Sequence, residues 1–181
     1  MNKKSISVTL FDCCVDSKDT HKTKWFQAIW DDVKEIEPGP EIADPFARDC
    51  RLAKYTNDLD PETEADHHIT ALEFLSFFGR DSLDLVIFDP PFSERQTHDN
   101  YNGFGINLYA SDGVMLSDCL KEAAIKIKPG GHLLKLGYNC NTFNYDFGLV
   151  ALWIVQKTHK NHNNSTIISL WQNKQKSLSD F

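Results

Sequence analysis

One short apolar segment, Leu83–Phe88 (LDLVIF), strongly limits the folds that this chain of 181 residues can adopt. A nearly unbroken apolar run bounded by polar residues is typical of a strand covered on both faces, at the centre of a parallel sheet. The run is followed by Asp89-Pro90-Pro91-Phe92, where two prolines stop the strand. The sequence therefore predicts an α/β fold with a rigid strand-to-loop junction at one edge of its sheet.

Helix and strand patterns alternate along the rest of the chain. Apolar residues three and four apart predict helices, and short apolar or alternating runs predict strands. The predicted helices are 24–36, 71–78 and 113–127, with a further helix starting at 61–64 after Asp60 as its N-cap. The predicted strands are 5–11, 41–43, 51–56, 83–88 and 132–136, with a turn at 128–131 and a closing hairpin of 149–157 and 166–172. This order predicts a doubly wound, mostly parallel sheet with one antiparallel strand and ligands at the carboxyl ends of its strands.

Length and composition favour a single soluble domain over residues 1–181. We expect residues 1–23 to be an N-terminal extension and residues 93–112 to be a substrate loop, because long polar loops in compact domains are often functional. No run of about 18 apolar residues is present, so no membrane span is expected. The five cysteines show no metal-ligand spacing, which predicts no metal site and reduced thiols in a cytoplasmic protein.

The negative charge of the chain is unevenly distributed. The net charge is −7: residues 1–99 hold 11 Lys and Arg against 21 Asp and Glu, a net −10, and residues 100–181 hold 8 against 5, a net +3. Proteins that bind nucleic acid strongly usually present a basic face. Any contact with nucleic acid should therefore use a local basic surface, or need a protein partner or a second copy of the chain.

The Asp89–Phe92 segment carries the groups that methylation of an exocyclic base amine requires. Such a nitrogen is a weak nucleophile because its lone pair is delocalised into the ring, so acceptors must hold the amino hydrogens and aim the lone pair at the methyl donor. The Asp89 carboxylate and the Pro90 carbonyl can accept these hydrogens, and Pro91 helps to fix that carbonyl. Phe92 can stack on a base extruded from its helix. The alternative is a structural turn in which Asp89 is a cap and Phe92 packs in the core.

The segment resembles the (Asp/Asn/Ser)-Pro-Pro-(Tyr/Phe) motif of amino-methyltransferases, which act on adenine N6 or cytosine N4 in DNA or, in some cases, on guanine N2 in RNA. Further segments match, in order, a group of small prokaryotic and phage adenine-specific DNA methylases. The matching segments are DPFAR (44–48), YTNDL (55–59), ALEFL (71–75), DPPFSERQ (89–96), KPGG (128–131) and GYNCN (137–141). The resemblance covers about residues 24–174. It implies a Rossmann-like methyltransferase fold, a seven-stranded sheet whose last strand is antiparallel, with S-adenosylmethionine as cofactor.

The resemblance also implies which loop holds the methionine part of S-adenosylmethionine. This loop is Asp44-Pro45-Phe46-Ala47, directly after the first core strand. Many relatives continue it with glycines, whereas this chain has Arg48-Asp49-Cys50. Because glycine lets a backbone approach a ligand closely, the loop of this chain differs where the cofactor would lie nearest.

Two further positions are implied for the nucleoside part of the cofactor. Asp58, followed by Leu59, is the candidate for the ribose hydroxyls, and Asp60 is the second choice; a capping role is the alternative for both. Thr70 and Ala71 lie where relatives often have an aspartate that binds the adenine amino group. Thr70 offers a hydroxyl there instead.

Three residues are candidates for contact with the substrate. Arg95 and Gln96 closely follow the prolines and can reach a phosphate or a base edge, with a solvated loop as the alternative. Asn139 follows the last parallel strand and either reaches the target or forms a turn.

These observations predict an S-adenosylmethionine-dependent methyltransferase that modifies adenine N6 in DNA. Cytosine N4 in DNA or an amino group of an RNA base is the alternative target. A domain that binds the cofactor or an assembly partner without catalysis is a further alternative, favoured by the acidic charge and the missing glycines. Only residues 93–112 are available as a recognition segment, which predicts low sequence specificity or recognition through a partner.

Overall fold

The computed structural model describes residues 7–13, 20–91, 114–141, 144–157 and 165–175. A 3-10 turn at Thr20–Lys22 leads into α1 (Lys24–Ile36), and the other helices are α2 (Ala71–Ser76) and α3 (Val114–Lys126). The strands are β1 (Ser7–Cys13), β2 (Ile42–Asp44), β3 (Tyr55–Thr56), β4 (Leu83–Phe88), β5 (Ile127–Gly137), β6 (Phe147–Lys157) and β7 (Thr166–Asn173). None of the helices in the described ranges is long and apolar enough to cross a membrane.

The seven strands form one sheet in the order β1-β6-β7-β5-β4-β2-β3. Strand β7 is antiparallel to both of its neighbours, and every other pair is parallel. The predicted mostly parallel, seven-stranded sheet with an antiparallel C-terminal hairpin is therefore confirmed. Strand β1, which lies within the predicted N-terminal extension, joins the sheet beside β6.

Strand β4 is buried on both faces, as its apolar run predicted. Val86 and Phe88 pack in the core beneath α2 and α3, whereas Leu85 and Ile87 pack in the core beneath α1. All four side chains are at most 2% exposed. Burial of each such side chain contributes roughly 1.5–3 kcal/mol, so β4 ties the two layers of the domain together and fixes the position of Asp89 at its end.

The predicted helix at residues 61–64 is wrong, because these residues form a turn. Asp60 Oδ1 accepts a hydrogen bond from the Glu62 N–H at 2.9 Å, and the Asp60 carbonyl accepts one from the Thr63 hydroxyl at 2.8 Å. The chain then returns at once to the sheet, where His67 bridges Asn57 in parallel fashion. Asp60 thus acts as a cap, but the return to β3 leaves room only for an Asp-initiated turn.

The predicted turn at residues 128–131 lies within β5, where it forms a bulge. Leu83 pairs with Ile127 and Leu85 pairs with His132, so four residues of β5 lie opposite the single residue Asp84 of β4, which is three more than in a regular ladder. Gly130 has a φ of 84°, and a Cβ on Gly131 would lie 2.8 Å from the Asp84 carbonyl oxygen. The second glycine therefore lets β4 and the bulge approach each other.

The Gly131→Ala variant should be less stable than the wild type by about 1–3 kcal/mol, because the added methyl group overlaps backbone that cannot move freely. Gly79→Ala is the matched control, since a Cβ at Gly79 would meet nothing within 4 Å. Urea denaturation of the three proteins measures the difference. Equal losses of stability in both variants would show that the contact with Asp84 is not responsible.

Candidate active site

Polar residues from four neighbouring strands meet at one edge of the sheet. Strands β3, β2, β4 and β5 are adjacent and parallel, so their carboxyl ends lie at the same edge. Asp44 ends β2, Asp58 closely follows β3, Asp89 follows β4 and Lys135 lies near the end of β5. Ligands of open α/β sheets bind at this edge. Asp89 and Asp58 are near enough to Asp44 for their charges to act on it, so these predicted residues are brought together.

The loop after β2 is folded back onto the end of β3. Asp44 Oδ1 accepts a hydrogen bond from the Phe46 N–H at 2.9 Å, and the Ala47 N–H donates to the Asn57 carbonyl at 2.8 Å. The ring of Phe46 packs edge-to-face on Phe88, with 5.3 Å between the centroids. The residues expected under the methionine part of the cofactor therefore form a compact, buried loop beside the end of β4.

Arg48 has the backbone conformation that glycine adopts most easily. Its φ is 49°, in the left-handed region, and its N–H donates to Asp58 Oδ2 at 3.2 Å. A residue with a Cβ is disfavoured there by roughly 1 kcal/mol or more. Arg48 begins the segment where many of the resembling methylases have glycines, and in this chain a residue with a Cβ adopts the left-handed conformation there.

We expect the free energy of unfolding of Arg48→Gly to be about 1 kcal/mol higher than that of Arg48→Ala. Both variants remove the guanidinium group, but only glycine removes the Cβ. Urea denaturation of the two variants side by side is the measurement. If the two were equally stable, the left-handed backbone at Arg48 would carry no strain.

The carboxamide of Asn57 joins three segments, a role that the sequence analysis missed. Asn57 Nδ2 donates to the carbonyls of Pro45 and Ile69 at 3.1 and 3.0 Å, and Oδ1 accepts from the Ile69 N–H at 3.2 Å. Asn57 is 1% exposed. An asparagine after a short strand usually indicates a turn, so nothing in the sequence shows that its partners lie 12 residues away in both directions.

Asp58 is fully buried, and its carboxylate binds backbone amides. Oδ2 accepts from the Arg48 N–H at 3.2 Å and Oδ1 accepts from the Asp60 N–H at 3.0 Å. Leu59 packs partly buried against the core beneath α2 and α3. Asp58 and Asp60 therefore have the capping role that was the alternative for both. Their contact with a ribose stays a prediction.

Thr70 is the N-cap of α2. Its Oγ1 accepts from the Glu73 N–H at 3.3 Å and donates to Glu73 Oε2 at 2.6 Å, and the Glu73 carboxylate accepts from the Thr70 N–H at 3.1 Å. This reciprocal pair is a capping box. Ala71, the first residue of the helix, is buried. The Thr70 hydroxyl could bind an adenine amino group only in competition with the helix cap.

Asp89 is a partly exposed residue that lies between buried neighbours, Phe88 on one side and Pro90 and Pro91 on the other. No residue in the described ranges donates a hydrogen bond to it, and burial raises its pKa to about 7. Burial also raises the pKa of Asp44 well above its usual value; the charges of Asp89 and Asp58 add to this effect, and the Phe46 N–H opposes it. A site with two such carboxyl groups favours a proton or a cationic ligand.

The remaining predicted site residues are Phe92, Arg95, Gln96 and Asn139. Phe92, Arg95 and Gln96 fall outside the described residues. Asn139 is exposed, and its Oδ1 accepts from Lys135 Nζ at 3.3 Å and from the Asn141 N–H at 3.4 Å. The second of these hydrogen bonds has the spacing of an asparagine turn, which was the alternative expected for Asn139.

Lys135 is a second residue that the sequence analysis missed. It lies in register with Phe88 across the β4–β5 pair and is only partly exposed. The signal in the sequence is a single lysine inside the otherwise apolar run LLKLG. A lysine in a buried parallel strand must bring its ammonium group to the edge of the sheet, because a buried unpaired charge is costly.

The order and direction of these strands, with helices on both faces, define the Rossmann-like methyltransferase fold. Known structures share it: yhhF from Escherichia coli, a proposed methyltransferase, is 11% identical with a TM-score of 0.50 over 85% of this chain and 89% of that one. TrmN from Thermus thermophilus is 15% identical with a TM-score of 0.53 over 79% of this chain and 47% of that one. An rRNA methylase from Streptococcus thermophilus is 10% identical with a TM-score of 0.51 over 85% of this chain and 99% of that one.

At these identities the likeness is one of fold. No protein-family model matches the sequence, and no curated protein matches it.

Proposed function

We propose that this chain is an S-adenosylmethionine-dependent methyltransferase that acts on the exocyclic N6 of adenine in DNA. The observation that carries this proposal is Asp89. Its carboxyl group has no hydrogen-bond donor among the described residues, has a pKa raised to about 7 and is held by two buried prolines at the ligand edge of a methyltransferase fold. A structural cap would have its acceptors satisfied, as those of Asp58 are.

The charges at this edge fit S-adenosylmethionine. The charges of Asp89 and Asp58 disfavour the ionised form of Asp44, and a ligand with a sulfonium and an ammonium group would offset this repulsion. The loop Asp44–Ala47 and the Asp58–Leu59 segment would hold the cofactor over β2 and β3, which leaves the end of β4 to the target base. When bound, S-adenosylmethionine supplies an electrophilic methyl group.

Asp89 and Pro90 would then activate the target nitrogen. The Asp89 carboxylate accepts one amino hydrogen and the Pro90 carbonyl accepts the other, which draws the nitrogen lone pair out of conjugation with the ring. The nitrogen lone pair would then be free to accept the methyl group that the cofactor supplies, and the surplus proton would leave the nitrogen for Asp89 or water. A carboxyl group with a pKa of about 7 is matched to this task at neutral pH. The predicted stacking of the base on Phe92 remains part of the proposal.

Nucleoside mass spectrometry tests the target. DNA and RNA that contain all four bases are incubated with the purified chain and methyl-deuterated cofactor, and the digested nucleosides are analysed. We expect deuterated N6-methyladenine from DNA. Labelled N4-methylcytosine or a labelled RNA nucleoside would move the proposal to that target. Cofactor binding in calorimetry without any labelled nucleoside would instead favour a binding domain without catalysis.

An amino group of an RNA base is the second candidate. It is favoured by the Streptococcus thermophilus neighbour, an rRNA methylase that this chain covers almost completely. Low sequence specificity, or recognition of the target with a partner, belongs to both versions of the proposal.

The rate of methyl transfer should rise with pH and level off above a midpoint near 7, the raised pKa of Asp89. Only the ionised carboxylate can take up the surplus proton of the amino group, so kcat/KM should fall about tenfold for each unit of pH below that midpoint. Asp89→Asn is the control, because the amide keeps an acceptor oxygen but does not titrate. Its residual activity should be independent of pH in this range, and the same pH profile in both proteins would assign the titration to another group.

A further inference from the structure

We propose that Lys135 binds a phosphate group of the nucleic-acid substrate and thereby fixes the strand whose base is presented to Asp89. The inference rests on the proposed function, and it adds an anchoring residue for the phosphodiester backbone that neither the motif nor the fold assigns.

The position of Lys135 places its charge beside the target side of the site. Leu134 and Leu136 pack in the core beneath α1, whereas Leu133 packs beneath α2 and α3. Because strand residues alternate, Lys135 shares the α2–α3 face with Leu133 and with Phe88, its partner across the β4–β5 pair. Its Nζ reaches Asn139 Oδ1 at 3.3 Å, so the ammonium group lies toward the carboxyl end of β5, next to the strand that ends in Asp89.

The ammonium group of Lys135 lacks a counter-ion within the described part of the chain. Two other lysines that are partly or largely buried pair with carboxylates, Lys128 with Asp84 at 2.6 Å and Lys126 with Glu122 at 2.8 Å. The Nζ of Lys135 makes only the long hydrogen bond to the neutral side chain of Asn139 among the described residues, and burial lowers the pKa of Lys135. A desolvated cation without a carboxylate is costly unless an anion binds it.

The anion that suits this position is a phosphodiester of the substrate. The cofactor residues Asp44 and Asp58 follow β2 and β3, whereas Lys135 lies on β5, with β4 in between. Two strand spacings separate β5 from β2, about 10 Å. The cationic end of β5 therefore lies on the far side of Asp89 from the acidic cofactor loop. Lys135 would thus supply a local basic contact for nucleic acid in a chain whose net charge is −7.

The test measures binding of fluorescein-labelled DNA and RNA of the same sequence by anisotropy at several salt concentrations. We expect Lys135→Ala to weaken binding about tenfold and to reduce the slope of log affinity against log salt by about one, the signature of one lost phosphate contact. Lys135→Arg should restore most of the slope. Lys121→Ala, which removes an exposed lysine of α3, is the matched control and should leave the affinity unchanged.

Two further measurements separate anchoring from a structural role. Thermal unfolding and cofactor binding should be unchanged in Lys135→Ala; if that variant does not fold, Lys135→Gln, which keeps a donor for Asn139, takes its place. A wild-type salt slope in folded Lys135→Ala or Lys135→Gln, or no binding of nucleic acid by the wild type, would overturn the inference. Binding requires no methyl transfer, so a reduced slope without any methylated nucleoside would uphold this inference while the proposed reaction fails.

Discussion

Asp89→Ala is expected to lose at least about 100-fold in the rate of methyl transfer, the lower range of what a positioned proton acceptor contributes. The side chain supplies one of the two acceptors that hold the target amino group, and alanine supplies none. Single-turnover transfer of a labelled methyl group to DNA measures the loss. Asp31→Ala, which removes an exposed carboxylate of α1, is the matched control and should retain full activity.

The stability of Asp89→Ala relative to the wild type should increase as the pH rises. The folded-state pKa of Asp89 is about 7 and its usual value is 3.8, so the folded protein binds the extra proton between these values. The contribution of Asp89 to wild-type stability therefore falls as the pH rises from about 4 to 7. Asp89→Ala lacks this contribution, and its melting temperature relative to the wild type should be higher at pH 8 than at pH 5.

The two measurements together distinguish a catalytic residue from a cap. A cap lost at Asp89 would destabilise the fold at every pH and reduce activity only through unfolding. Full activity in a folded Asp89→Ala protein would end the proposed mechanism, whatever the target base.

Asn57→Ala is expected to reduce the free energy of unfolding by about 3 kcal/mol. The substitution leaves the carbonyls of Pro45 and Ile69 and the Ile69 N–H without a partner in a buried site, and each unsatisfied buried group costs roughly 1–3 kcal/mol unless water reaches it. Because Pro45 belongs to the proposed cofactor loop, the affinity for S-adenosylmethionine should fall as well. Urea denaturation and calorimetry measure the two effects.

Asn141→Ala provides the comparison for Asn57, since it makes the same chemical change at an exposed position. Its stability should lie within about 0.5 kcal/mol of the wild type. A small loss at Asn57 would mean that the cofactor loop and the segment before α2 are held by their backbone contacts alone.

Local patterns were sufficient to predict most of the helices and strands of this fold. The bounds of α1 agree with the prediction because the apolar stripe begins after an N-cap, Thr23, and ends before Pro38. Strand β4 and the closing hairpin followed from their apolar content and the turn between them. The turn at 61–64 and the bulge at 128–131 could not be predicted, because each depends on a distant partner: the return to β3 in one case and the Asp84 carbonyl in the other.

Some residues of the candidate site could likewise be predicted from the sequence, and others could not. Asp44 and Asp89 could be found from short motifs at the ends of apolar strands. Asn57 could not, because its three hydrogen bonds join segments that meet only after folding. The sequence shows a lysine at position 135 but not that it is partly buried and without a carboxylate among the described residues, which only its place in the sheet reveals.

The raised pKa values of Asp44 and Asp89 should make binding of the proposed cofactor depend on pH. Burial disfavours the ionised form of both carboxyl groups, and the charge of Asp89 adds to this effect at Asp44, so the ligand-free edge tends to hold a proton at neutral pH. A cationic ligand removes that tendency, and its arrival should release the proton to solvent. Binding of the proposed methyl donor would then exchange a bound proton for a cationic ligand. The affinity for this ligand should therefore weaken as the pH falls.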